Sequence, residues 1–288
     1  MTVQKKDMRS DSDLLAAIKR SGYLLESEIA SILARAGFFI ESNQVIEDPI
    51  TGKSREIDLI AEYYDGYDNL SPDQKVCSKI NFVFEIKNNS YPLVLMTKFE
   101  FSPNIEIWES LKEMQTIPEG VDASSSDGFY EKLLANNKEA LYTQYCSFGH
   151  KKDNTNNELM ALHPEQVYTG LSKITQYCEE QMERWVDFGT DRYYRRFLFL
   201  PVLLIKDDLY ELTLDTKLQP ELHKVDESKL VFNYYFKGTP KISTIWVVTK
   251  KGFMTFVKNM IKIERQMEEE MCAVRNTTNP KTNDATII

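Results

Sequence analysis

The 288-residue chain is short of cysteine, histidine and long apolar runs, and each shortage removes a class of function. Its four cysteines (Cys77, Cys146, Cys178, Cys272) are scattered, with no CxxC pair. That argues against a disulfide framework or a zinc finger and fits reduced thiols in a cytoplasm. The three histidines, His150, His163 and His223, are too few and too dispersed for a zinc site. No apolar run approaches the roughly 18–20 residues of a membrane span, and Met1 to Arg20 is polar and charged without the apolar stretch of a secretory signal. A cytoplasmic protein with no membrane partner is expected. No GxxxxGK[ST] loop encodes ATP-driven translocation, and no GxSxG elbow or Cys-His signature points to acyl transfer. Positive charge is also short, 35 Lys and Arg against 44 Asp and Glu, for a net charge of -9. This counts against nonspecific coating of nucleic acid, but not against an enzyme that reaches a phosphate backbone through one local basic face.

What is present is an ordinary globular composition, 42% hydrophobic and 27% charged, enough to bury a full core. Leu14, Leu15 and Ile18 recur at helical spacing, and Ser21-Gly22 interrupts them. A second helix is expected over Leu24 to Ala36, on a stripe of Leu25, Ile29, Ile32 and Leu33, with Gly37 as its stop. Strands are expected from Phe38 toward Ile46, over Arg55 to Tyr63, and over Ile80 to Lys87. The stretch 91–162 reads as a helical insertion, with helices at Ile105 to Met114 and Tyr130 to Cys146. A long amphipathic helix follows at Gln166 to Trp185, on Val167, Leu171, Ile174, Cys178 and Met182. Strands at Phe197 to Ile205, Leu209 to Leu212 and Ser243 to Thr249 and a helix from Phe253 to Met271 complete a single α/β domain over 1–272. Its sheet is expected to be mixed, with helices on both faces, and 273–288 to form a frayed tail.

The chemistry sits on the early strands. Ile80 to Lys87 is apolar or aromatic at five of its eight positions, yet it ends in a carboxylate and an ammonium. Glu85 and Lys87 are two apart and so project from one face. Asp58 is an acid set between apolar neighbours, with Glu56 nearer the strand's open end. Burying such charges is expensive unless cations or donors meet them. A hard divalent cation between the two carboxylates resolves the cost, with Lys87 beside its bound water.

The spacing Asp58 … Glu85-Ile86-Lys87 resembles the D…ExK signature of the PD-(D/E)xK nuclease superfamily. The specific likeness covers about Leu24 to Asn88 and includes the hairpin Thr51-Gly52-Lys53-Ser54-Arg55-Glu56-Ile57-Asp58. Glu26, three turns before Gly37, stands where the resolvase branch carries a helical glutamate; Glu28, about 200° round the helix, is an alternative occupant. The chain departs from the signature in placing Ile57, not proline, before the first acid. The resemblance implies a restriction endonuclease-like fold and metal-dependent hydrolysis of phosphodiester bonds, with DNA as the expected substrate. Asp58, Glu85 and the carbonyl of Ile86 would hold Mg²⁺ or Mn²⁺. Lys87 would orient or deprotonate the attacking water, and Glu26 would position the ion or a second one.

Arg192, Arg195 and Arg196, interleaved with Tyr193 and Tyr194, are the expected nucleic-acid contacts; they also read as a loop balancing Asp187 and Asp191. Gln176 is a candidate support for the lysine, whereas Lys258 and Lys262 read as a solvated helix face. The acidic balance keeps two other expectations open. One is an inactive nucleic-acid-binding or protein-interaction module on the same fold. The other is an enzyme whose homodimer or partner protein supplies the DNA affinity.

Overall fold

The computed structural model describes residues 10–47, 52–63, 76–99, 140–150, 158–186 and 194–278. Helices α1 (Asp11–Ser21) and α2 (Tyr23–Arg35) precede a meander of β1 (Phe39–Glu47), β2 (Ser54–Tyr63) and β3 (Val76–Lys87). Then come β4 (Leu93–Phe99), β5 (Leu141–His150), β6 (Leu159–Leu162), helix α3 (Glu165–Val186) and β7 (Tyr194–Ile205). Strands β8 (Leu209–Leu214), β9 (Pro220–Val225), β10 (Glu227–Phe236) and β11 (Thr239–Thr249) lead to the closing helix α4 (Phe253–Thr278).

Local chemistry explains the first elements. Ser10 caps α1 through a reciprocal pair: its hydroxyl accepts from the Asp13 N–H at 3.2 Å, and Asp13 accepts from the Ser10 N–H at 3.3 Å. Gly22 then takes φ 93°, a left-handed turn open to glycine, and this separates α1 from α2. The α2 stripe of Leu25, Ile29 and Leu33 is buried, at about 1.5–3 kcal/mol per side chain. The α1 stripe is different: Leu14, Leu15 and Ile18 remain exposed among the described residues.

The eleven strands form a mixed sheet in the order β1-β2-β3-β7-β11-β10-β5-β4-β8-β9, with β6 beside β5. β3, β7 and β11 run parallel at its centre. Being covered on both faces, β7 is apolar at every position from Phe197 to Ile205. On one face α4 brings Phe253 and Phe256 against Phe84 and Phe82, with ring centroids 5.9 and 5.6 Å apart. On the other lies α3, which buries Val167, Leu171, Ile174, Cys178 and Met182, the stripe its sequence spacing predicts.

The sheet cannot be flat. Ile205 ends β7 and Leu209 begins β8, and four residues reach at most about 14 Å. Yet β8 is five strand steps from β7 in the sheet order, which would be roughly 24 Å across an uncurled sheet. It therefore curls until β4 and β8 start where β3 and β7 stop. Asn89 stitches that junction, its side-chain oxygen accepting from the N–H groups of Lys206 at 3.0 Å and Asp207 at 3.2 Å.

Several expectations are corrected. Where described, the 91–162 segment is β4, β5 and β6, not a helical insertion. The expected helix over Tyr130 to Cys146 overlaps β5, whose aromatic residues gain paired edges on β4 and β10; such pairing overrides local spacing. The expected helix at Ile105 to Met114 lies outside the described residues. β9 and β10 were not anticipated, and α4 runs to Thr278, into the expected tail.

On the α4 face, Glu264 is buried near Ser78 and Arg196. Burial pushes its carboxyl up to about 7, against the opposing pull of Arg196 and Ser78. A carboxyl that holds its proton more tightly when folded destabilises the fold as pH rises. The cost is absent below the ordinary 4.5 and complete above about 7. Thermal unfolding from about pH 5 to pH 8 should therefore show the melting temperature of Glu264→Gln shifting upward relative to wild type as pH rises. A pH-independent gap between the two proteins would contradict this.

Candidate active site

Asp58, Glu85 and Lys87 meet on the α3 face of the sheet. β2 and β3 pair from Tyr63↔Ile80 to Leu59↔Phe84. One residue further, the Asp58 side chain takes over the ladder: its Oδ2 accepts from the Ile86 N–H at 2.7 Å. The N–H and C=O of a strand residue leave the same edge. Lys87 O accepts from Lys206 on the β7 side at 3.0 Å, so the Ile86 carbonyl leaves the opposite edge, toward Asp58. The expected ligand atoms thus share one place: two carboxylates from neighbouring strands and one backbone carbonyl.

Glu85 is 2% exposed and its two oxygens are claimed separately. Lys87 forms an ion pair with Oε1. Lys173 of α3 places Nζ 2.5 Å from Oε2 and 3.1 Å from Asp58 Oδ1, bridging the two strands. Burial works to lower the Lys173 pKa, but Glu85 and Asp58 outweigh it and hold the ammonium above its ordinary value. Glu26 reaches the same cluster from the first turn of α2. Burial, then the charges of Asp58 and Glu85, raise its carboxyl, with Lys173 and Lys87 pulling the other way. Glu28, the alternative, pairs instead with Lys250 in the turn between β11 and α4.

The basic residues divide. Arg196 is corrected as a nucleic-acid contact: it is buried on the opposite face, beside Glu264, because strand parity points it there. Arg192 and the Arg195 side chain lie outside the described residues. Gln176 is buried and donates to Ser172 Oγ at 3.3 Å. Lys258 and Lys262 line a cavity of about 550 Å³ with Tyr63 and Arg265, on the α4 side.

Two residues escaped sequence reasoning. Lys173 lies on the amphipathic helix α3, whose apolar stripe gives no sign of it. Gly170, three residues earlier, left a signal: a glycine inside a long helix costs about 1 kcal/mol relative to alanine and so needs a reason. The reason is contact. A Cβ there would lie 2.5 Å from Glu85 Cδ and 2.6 Å from Cγ, and Glu85, held by two lysines, has nowhere to go.

Among the described residues no group of three or more His, Cys, Asp or Glu side chains is arranged to hold a metal ion. An ion at this place would rely on the Ile86 carbonyl beside Asp58 and Glu85, an all-oxygen set of the kind hard divalent cations take.

Exchanging a helical glycine for alanine ordinarily stabilises a protein by a few tenths to about 1 kcal/mol. Here the sign should invert: Gly170→Ala lowers the melting temperature, and in a Glu85→Ala background the same change becomes neutral or stabilising. The four-protein cycle, read by thermal unfolding, checks this. Comparison with family models, with curated proteins and with solved structures finds no match to this chain.

Proposed function

We propose that the protein is a divalent-metal-dependent nuclease that hydrolyses phosphodiester bonds, with DNA as the leading substrate, on a restriction endonuclease-like core. The observation that carries this reading is the convergence of Asp58, Glu85 and Lys87 on one face at the end of β3, with Glu26 in electrostatic reach. A mixed sheet with helices on both faces agrees with what the PD-(D/E)xK resemblance implies.

Asp58, Glu85 and the Ile86 carbonyl are the groups that would hold Mg²⁺ or Mn²⁺. When bound, such an ion supplies Lewis acidity toward the scissile phosphate and lowers the pKa of a bound water. The remaining roles belong to the chain. Asp58 is aimed by the Ile86 N–H, so its second oxygen faces the site. Lys87 is held by one oxygen of Glu85 and keeps a quarter of its side chain in solvent. It can therefore meet water and a phosphate oxygen at once. Glu26, whose carboxyl keeps its proton more readily than usual, is in electrostatic reach of the cluster and available to exchange a proton with the attacking water.

A second reading has its own support. Lys173 already pairs with both Asp58 and Glu85, as an inactive binding module would require, and the net charge of -9 favours a partner that supplies affinity for nucleic acid.

Incubating the full chain with linear, branched and single-stranded DNA, and with RNA, in Mg²⁺ or Mn²⁺ tests the choice. Cleavage is expected, with Asp58→Ala and Lys87→Ala each slower by at least about a hundredfold. Folded wild type that cuts nothing, or variants that cut as fast, would return the second reading.

A further inference from the structure

We infer that Lys173 is a resident counter-cation of this site: its ammonium closes Asp58 and Glu85 together in the metal-free protein, and a divalent ion enters by displacing it. The inference rests on the metal site of the proposed nuclease and adds how that site is kept before loading.

The geometry is that of a bridge. Nζ lies 3.1 Å from an oxygen of β2 and 2.5 Å from an oxygen of β3, so it occupies the space in which both carboxylates could ligate one ion. Its side chain is only 12% exposed. Without it Glu85 keeps Lys87 on Oε1, but Glu85 Oε2 and Asp58 Oδ1 lose the cation they share, so the protein without an ion needs this ammonium. Asp58 and Glu85 are matched by Lys87 and Lys173, so a cation that enters between the carboxylates must take the place of an ammonium. A dication and Lys173 cannot share the gap, because like charges at about 3–4 Å in a poorly hydrated site repel strongly.

What yields is the side chain. The α3 backbone is seated on Glu85 at Gly170, where not even a methyl group fits. The helix therefore stays while the flexible four-carbon stem of Lys173 swings aside.

The test uses the full chain as wild type, Lys173→Met, Lys173→Gln and the double variant Lys173→Met with Asp58→Asn. Thermal unfolding in EDTA and calorimetric titration with Mn²⁺ are the readouts. Both single variants are expected to melt lower than wild type in EDTA and to bind Mn²⁺ about tenfold tighter, and the double variant to bind none. Lys173→Gln keeps polar contact with both carboxylates, which preserves the comparison if Lys173→Met does not fold. If wild type binds Mn²⁺ and the Lys173 variants bind it equally or more weakly, displacement is wrong and the nuclease reading stands. Tighter Mn²⁺ binding by the variants, alongside a wild type that cleaves no nucleic acid, supports displacement and removes the nuclease. No Mn²⁺ binding by any of the four proteins overturns both.

Discussion

A carboxylate sealed from water must be met by positive charge or donors, and Glu85 is sealed at the end of a strand in the middle of the sheet. Much of the surrounding architecture follows from that demand. Lys87 comes from the same strand, two residues on. Lys173 comes from the covering helix, which approaches close enough only because residue 170 is glycine. Asp58 is drawn in from β2 and held by the next backbone N–H of β3. Remove Glu85 and the glycine, the bridging lysine and the side-chain closure of the β2–β3 ladder lose their common reason.

The two faces of the sheet treat charge differently. The α3 face gathers ionised groups that satisfy one another. The α4 face buries Glu264 near Arg196 and Ser78 among aromatic side chains, and there the carboxyl leans toward its neutral form. Both arrangements obey the same cost of desolvation. Only the first holds its carboxylates ionised by pairing them with lysines.

The acids of the cluster were legible in sequence because period-2 alternation makes an acid inside an apolar strand conspicuous, as at Asp58 and Glu85. The α3 stripe was legible for the parallel reason, at period 3.6. The partner strands were not. β5 pairs with β10 through Lys229↔Leu141 and Leu230↔Tyr142, nearly ninety positions apart, and no local window contains that information. Arg196 failed on parity: β7 begins at Tyr194, earlier than its apolar run suggests, and alternation then points the arginine into the core. Lys173 failed because a helix position alone does not say which strand end lies beneath it. The Glu26 and Glu28 alternatives separated only once Lys250 was seen to claim Glu28.

The curl of the sheet has a mechanical side. β10 and β5 share only two register pairs, fewer than any other neighbours in the strand order. A line drawn there divides the chain into a block that carries the carboxylates and a wing of β5, β4, β8 and β9. Separating strands along that seam breaks fewer backbone hydrogen bonds than anywhere else in the sheet, so the wing is the unit that opens first when the fold loosens locally. It stays tethered by four short segments, 88–92, 163–164, 206–208 and 226, and the first of them begins at Asn88, immediately after Lys87. Asn88 also reaches back to the last carbonyls of α1, at 2.9 Å from Arg20 O. The Asn88 contacts with α1 therefore tie the β3–β4 connection, and through it the wing, to the strand end that carries Lys87.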